Sequence, residues 1–244
     1  MEIKDRVFIV TGASSGIGLA TAKALAEKGG KVALLARSTD AIETLSKTLP
    51  ESLAVTADMT DFENLRDAIA KVQAHYGRID GLINNAGRSY AAKVEEIEPA
   101  VFDEIFHLNV LGPIIALQAV LPAMRAQKEG SIVNVNSGTA FMNVPAYSVY
   151  SSSKRALLGF SAAARAELKD DGIVVSEVYP AVTATNFGNN RMVTSSGSGP
   201  SANYAAGDTA EYVADIILKA IEEGGSQYFA NENFVKLSQN GSLF

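Results

Sequence analysis

The chain has no cysteine. That excludes a disulfide framework, a thiolate metal site and a cysteine nucleophile. Histidine is almost absent as well. His75 and His107 are the only two, and they do not stand in a metal-ligand spacing, so no metal is expected. Positive charge is scarce, with 21 Lys and Arg against 27 Asp and Glu and a net charge of −6. Such a chain lacks the basic face that nucleic acid needs and the basic patch that anionic membranes attract. No stretch of about 20 apolar residues reads as a bilayer span. The start, Met1-Glu2-Ile3-Lys4-Asp5-Arg6, is charged and leads into a short apolar run, unlike a signal peptide. The expectation is a soluble cytoplasmic protein with no nucleic-acid or membrane partner.

What is present is apolar sequence with a regular alternation. The chain has 244 residues, 47% of them hydrophobic. That is enough to bury a sizeable core, and no linker-like shift in composition divides it, so one domain over residues 1–244 is expected. Strand-like runs are Val7–Val10, Val32–Leu35, Leu53–Val55, Gly81–Asn85, Ser131–Val135 and Ile173–Val178. Between them lie helical patterns: one through Ala20 to Ala26 ending at Gly29-Gly30, then Ala41–Leu49, Phe62–Tyr76, Pro99 to about Gln127, and Tyr147 to about Asp170. Pro113 and Pro122 mark points of irregularity in the long helix. Residues 224–230 hold a seventh candidate strand. Alternation of this kind predicts a three-layer α/β fold, a doubly wound parallel sheet with helices on both faces. The segment 186–207 is rich in Gly, Ser and Asn and is expected to form a mobile substrate loop.

Thr11-Gly12-Ala13-Ser14-Ser15-Gly16-Ile17-Gly18 lies between the first strand and its helix. Glycines there let the backbone approach a pyrophosphate, which meets unpaired N–H groups and the positive end of the helix. The missing Lys-Ser/Thr ending argues against nucleotide hydrolysis. A carboxylate at the end of the second strand would accept a ribose 2′-hydroxyl, but this chain has Ala36-Arg37-Ser38. Arg37 suits a 2′-phosphate, so NADP(H) is expected over NAD(H). Farther on, Tyr150 and Lys154 are four residues apart, on one face of a helix. A phenol titrates near pH ~10, and a neighbouring cation favours its phenolate, as an acid–base group working near neutral pH requires.

Together these residues resemble the short-chain dehydrogenase/reductase family in its single-domain form, over about Val7 to Thr185. Thr11 to Gly18 is similar to the family's cofactor loop, Asn84-Asn85-Ala86-Gly87 to its Asn-Asn-Ala-Gly segment, and Tyr150–Lys154 to its active-site pair. Ser137 lies 13 residues before Tyr150 and Asn109 lies 41 before it, at the family's serine and asparagine positions. The resemblance implies a Rossmann-type fold and a catalytic set of Asn109, Ser137, Tyr150 and Lys154. Tyr150 would exchange a proton with the substrate oxygen, Ser137 would orient that oxygen, Lys154 would hold the nicotinamide ribose, and Asn109 would hold a helix irregularity and a water. It implies cofactor contacts at Gly12, Ser14, Ser15, Gly16, Ile17, Gly18, Arg37, Ser38, Asp58, Met59, Asn85, Ala86, Gly87, Pro180, Thr183 and Thr185, besides Tyr150 and Lys154.

Ala181 departs from the family's Pro-Gly, so the backbone there must avoid positive φ or carry strain. The family's tetramer-type C-terminal tail is missing. A homodimer through the two long helices, or a homotetramer, is the expected assembly. The activity implied is interconversion of a ketone or aldehyde with an alcohol. The alternatives are a 3-oxoacyl carrier-protein reductase, which would need a basic docking patch, and a catalytically silent NADP(H)-binding regulator. Arg88, Tyr90, Thr139, Phe141, Tyr147 and Phe187 are candidates to line the substrate pocket.

Overall fold

The computed structural model describes residues 1–185, 187, 192–193 and 207–239. Most of the expected substrate loop at 186–207 falls outside these residues.

Seven strands form one parallel sheet. They are β1 (Val7–Thr11), β2 (Lys31–Ala36), β3 (Ser52–Thr56), β4 (Gly81–Asn84), β6 (Gly130–Val135), β7 (Ile173–Tyr179) and β9 (Gln227–Phe229). Their order is β3-β2-β1-β4-β6-β7-β9. The chain therefore winds outward from β1 in one direction and from β4 in the other, and the switch point lies between these two strands. Two short strands, β5 (Tyr90–Ala91) and β8 (Met192–Val193), pair separately.

Because side chains alternate along a strand, each strand feeds two cores. Val7 and Ile9 face one way and Phe8 and Val10 the other. The first face is covered by α3 (Phe62–Tyr76), α5 (Gly112–Gln127) and α6 (Ser148–Leu168), through Leu65, Ile69, Val120, Met124 and Leu168. The second is covered by α1 (Gly16–Glu27), α2 (Thr39–Ser46) and α7 (Ala210–Glu223), through Leu25, Ile42, Val213 and Ile217. Burial on both faces explains why the strands read as continuous apolar runs.

The helix expected from Pro99 to Gln127 is continuous but irregular. It begins as α4 (Pro99–Phe106), passes through a π segment at His107–Leu111, and resumes as α5. Gly112 N–H bonds to His107 O, one residue farther back than in an α-helix. Gly112 is also a close-contact residue, since a Cβ there would lie 2.8 Å from Met59 O. One expectation needs correcting here. Pro99–Gln127 is long and apolar enough to cross a membrane by length and composition, with a mean hydropathy of 1.6 over its best window. Ala116, Leu117, Val120 and Met124 pack it into the core, a placement that core helices of soluble proteins share.

An ion cluster ties the sheet's lower edge. Asp80 is fully buried. It accepts from Arg78 Nε at 2.8 Å and Nη2 at 2.5 Å, from Arg6 Nη1 at 3.0 Å and from Val7 N–H at 2.9 Å. Burial works against its charge, but these donors together hold its carboxyl below the ordinary range. At the end of the chain comes α8 (Glu232–Gln239), whose Leu237 packs with Phe141, Tyr179 and Phe229.

Candidate active site

Two adjoining cavities open at the carboxyl ends of the strands, where ligands of open α/β sheets bind. The first, of about 490 Å³, runs over the β1–α1 turn and the ends of β2 and β3. The second, of about 650 Å³, lies beside α6. They share Ile17, Asn85, Gly87, Thr185 and Phe187, so they are two ends of one crevice.

The turn after β1 is built for close approach. Gly12 and Gly16 take φ of +66° and +55°, values that favour glycine. Gly12, Ser14, Ser15, Gly16 and Ile17 line the first cavity at the N-terminus of α1, where N–H groups are unpaired. This cradle fits an anionic diphosphate. Gly18 does not line it. A Cβ at Gly18 would stand 2.3 Å from Gly12 O and 2.5 Å from Asn85 Nδ2. Its role is to let α1 lie against its own turn, which corrects the expectation of a cofactor contact.

Thr11, read in the sequence only as the first residue of the loop, organises the neighbouring segment. Its buried hydroxyl donates to Ile83 O and accepts from Asn85 N–H at 3.0 Å and Ala86 N–H at 3.1 Å. Asn85 returns its side-chain amide to Thr11 O at 2.9 Å and Gly12 O at 3.4 Å. Asn85 therefore lines the crevice while its amide braces the glycine turn. Ala86 and Gly87 line the crevice beside it.

At the far end of the first cavity Arg37 and Ser38 are exposed, and Asp58 and Met59 complete the wall. Burial pushes the Asp58 carboxyl up. The hydrogen bonds from Thr60 N–H and hydroxyl, with the charge of Arg37, outweigh it and hold the group below its ordinary range. Asp58 Oδ1 is already engaged by Thr60, at 2.8 Å and 2.7 Å.

The second cavity gathers Ser137, Tyr150, Lys154, Pro180, Thr183 and Thr185. Ser137 caps the turn after β6. Its Oγ accepts from Thr139 N–H at 3.2 Å and from the Thr139 hydroxyl at 3.0 Å. With both lone pairs engaged, its own proton is left to donate. Tyr150 and Lys154 share a face of α6, with the Lys154 Nζ 5.8 Å from the Tyr150 ring centre. The ammonium is buried and donates to Val135 O at 2.9 Å. Burial pulls its pKa down to about 8, against the upward pull of the Glu177 charge.

Asn109 sits in the π segment, 1% exposed. It accepts from Arg88 N–H at 3.0 Å and donates to Arg88 O at 2.9 Å and Ser153 Oγ at 3.1 Å. It lines neither cavity and acts as a clamp between α4–α5, α6 and the segment following Gly87. Ala181 avoids the left-handed region: among described residues only Asp5, Glu51, Lys128 and Ala146 reach it without being glycine.

Of the expected pocket residues, Thr139, Tyr147 and Phe187 line the second cavity and Arg88 the first. Two expectations are corrected. Tyr90 is turned into a core with Ile105 and Val149, its hydroxyl donating to Glu96 O. Phe141 packs on Tyr179 and Phe229, because the 3₁₀ turn Gly138–Phe141 swings it away from Thr139.

The sequence analysis assigned no role to Asn136 or Glu177. The two form a buried pair behind the site. Asn136 accepts from Ser137 N–H at 2.8 Å and donates to Lys154 O at 3.1 Å and Glu177 Oε1 at 2.8 Å. The Tyr179 hydroxyl donates to the other Glu177 oxygen. Burial pushes the Glu177 carboxyl up, though these donors oppose it.

The crevice thus defines a dinucleotide-type cleft that ends against a Ser-Tyr-Lys cluster. Residues 6–195 match the family described as short chain dehydrogenase. A mouse protein named dehydrogenase/reductase SDR family member 7B is 34% identical over 230 residues, covering 90% of this chain and 71% of its own. An uncharacterized oxidoreductase of Staphylococcus epidermidis is 32% identical, covering 75% of this chain and 80% of its own. A crystal structure of a short-chain dehydrogenase from Streptomyces avermitilis superposes with a TM-score of 0.85 at 31% identity, covering 97% and 92%. The chain belongs to the short-chain dehydrogenase/reductase family of oxidoreductases.

Proposed function

We propose that this protein is an NADP(H)-dependent oxidoreductase that interconverts a ketone or aldehyde with an alcohol, Tyr150 serving as acid and base. The observation that carries the reading is the meeting of the two cavities. The cluster of Ser137, Tyr150 and Lys154 lines the end of the crevice that adjoins the glycine cradle.

Gly12, Ser14, Ser15, Gly16, Ile17 and Thr185 would hold the diphosphate half. Asp58, Met59, Arg37 and Ser38 would surround the adenosine. Gly87, Lys154, Pro180 and Thr183 would meet the nicotinamide half. The bound cofactor supplies or takes the hydride. The protein's share is position and proton transfer. Ser137 Oγ, its lone pairs taken by Thr139, donates its proton to the substrate oxygen and fixes its direction. Tyr150 gives that oxygen its proton in reduction and removes it in oxidation. The Lys154 charge beside the ring stabilises the phenolate left behind. One of the three Lys154 donors holds Val135 O, and the others would serve the ribose hydroxyls. The preference for NADP(H) is supported by Arg37 lining the cleft with no carboxylate at the end of β2.

Assembly as a homodimer or homotetramer belongs to the same reading. It is supported by Phe102 and Leu111, exposed at 37% and 38% on the long helix. Light scattering that gives a monomer would remove it.

The test follows oxidation of NADPH and NADH by absorbance against ketones, aldehydes and 3-oxo esters, for the wild type and Tyr150→Phe. Loss of a general acid is expected to lower kcat by roughly 10²–10⁴-fold with cofactor binding kept. A variant as fast as the wild type would sink the assignment of Tyr150.

A further inference from the structure

The wall of the second cavity that adjoins Ser137 bears on what the substrate is. Away from the reacting end, apolar groups (Met142, Val144, Val182, Phe187 and Phe234) dominate the lining, joined by Asn231 and the carboxylate of Asp208. Lys154 is the only Lys or Arg among the described lining residues, and its ammonium is turned toward Val135 O. A substrate carboxylate or phosphate would lose hydration there without gaining a partner cation, which is costly.

Phe234 comes from α8, far along the chain from the cluster. Leu237, one turn on, anchors that helix on Phe141, Tyr179 and Phe229. The Phe234 ring rests against Gly138, the residue after Ser137. A Cβ at position 138 would lie 2.2 Å from the ring's Cζ and 2.4 Å from a Cε. The missing side chain at Gly138 is therefore the space that the ring tip fills. Asn231, just before α8, lines the same cavity. The last helix is thus a wall of the pocket, held next to the residue that orients the reacting oxygen.

We propose that Phe234, seated on Gly138, is a specificity-determining residue, and that the pocket selects a largely apolar carbonyl compound without an anionic group. This rests on the reading of the site as a carbonyl–alcohol oxidoreductase. A rigid ring across the cavity limits the bulk of the group on the far side of the carbonyl. The apolar lining favours that group in proportion to its buried surface.

The experiment measures KM and kcat of wild type and Phe234→Ala on methyl ketones whose second substituent grows from ethyl through hexyl to phenyl and naphthyl. Levulinate serves as a carboxylated member. In the wild type kcat/KM is expected to rise roughly fourfold per methylene until the ring stops it, with levulinate at least about tenfold below an uncharged ketone of equal length. In Phe234→Ala the size optimum moves to larger substituents, changing the naphthyl-to-butyl ratio by about tenfold or more, mostly through KM. Fluorescence of bound NADPH checks that the variant keeps its fold. An unmoved size profile in a folded variant overturns the role of Phe234, and levulinate outperforming its uncharged counterpart overturns the substrate class. If the wild type turns over none of these ketones, the oxidoreductase reading fails separately. The wall is then judged by binding of the same ketones to the NADPH-bound protein, read by displacement of Nile red: a shifted size profile upholds it and an unshifted one overturns it.

Discussion

Replacing Gly18 by alanine separates two reasons for a glycine in this turn. The new methyl would be placed 2.3 Å from Gly12 O, 2.5 Å from Asn85 Nδ2 and 2.9 Å from Gly12 C. Two of these are backbone atoms of a turn that cannot swing aside as a side-chain tip can. Forcing a methyl into such a contact costs about 1–3 kcal/mol. Displacing the Asn85 amide also weakens its bonds to Thr11 O and Gly12 O, worth about 0.5–1.5 kcal/mol each. The sum, about 2–6 kcal/mol, is a large part of a typical stability of about 5–15 kcal/mol. At about 2–4 °C per kcal/mol for a chain of this size, Tm falls by roughly 4–24 °C. Gly77→Ala is the control. Gly77 takes φ +76° with nothing within 4 Å of an added Cβ, so only the backbone conformation is penalised, by about 1–2 kcal/mol. Calorimetry gives the two Tm values, and NADPH fluorescence gives the affinity of each variant. If Gly18→Ala melts no lower than Gly77→Ala, the close-packing argument is wrong. If it keeps its Tm but loses NADPH, Gly18 is a cofactor contact after all.

Arg37→Asp is expected to reverse the preference from NADPH to NADH, since it replaces the cation that suits a 2′-phosphate with a carboxylate that repels it; an unchanged ratio of kcat/KM for the two cofactors would refute the role of Arg37. Asp80→Asn should cost about 2–3 kcal/mol in chemical denaturation, less than a fully buried pair because Arg6 and Arg78 both reach solvent. Since the Asp80 carboxyl is held low in the fold, its contribution is complete above the ordinary carboxylate range and is lost as pH falls through the lowered value. The difference between wild type and variant must therefore shrink in acid, and a constant difference contradicts the charge argument. Glu177→Gln removes the charge that holds the Lys154 pKa up near about 8, so the alkaline limb of kcat/KM should move to lower pH; an unmoved limb means Glu177 carries no charge in the working enzyme. Gly159→Ala, at an exposed site in α6 with open space around it, should stabilise the protein by about 0.5–1 kcal/mol.

The parts of this fold that were legible in the sequence are those whose signal is local. β1, the glycine turn and α1 could be read because an apolar run, two positive-φ positions and an amphipathic helix follow one another within thirty residues. The family resemblance put a helix irregularity at Asn109, inside the π segment His107–Leu111, whereas the proline positions pointed elsewhere: Pro113 and Pro122 sit inside α5. α7 was passed over although its signal is present. Thr209 caps it, and Val213, Ala214, Ile217, Leu218 and Ile221 repeat at helical spacing; the polar stretch before it drew the reading away. Tyr90 and Phe141 were misplaced because nearness in sequence to a motif says nothing of the direction of a side chain.

The pair Asn136–Glu177 shows a different limit. Its partners come from β6, α6, β7 and the turn before β9, and Gln227 joins them through the Tyr179 hydroxyl at 3.0 Å. Only the strand order, β6 beside β7 beside β9, brings them together. The sequence did carry one trace of it: a glutamate within a mostly apolar strand breaks the pattern of its own element. A buried carboxyl is tolerated only where donors converge on it. Such a misfit is therefore a sign that other elements meet at that point, and sites with local conflicts of this kind are where function concentrates. Here Asn136, one of the donors that satisfy Glu177, also accepts from Ser137 N–H and donates to Lys154 O. One side chain makes the buried acid tolerable and fixes two groups of the proposed proton-transfer site, so the burial of Glu177 and the rigidity of the site are tied through Asn136.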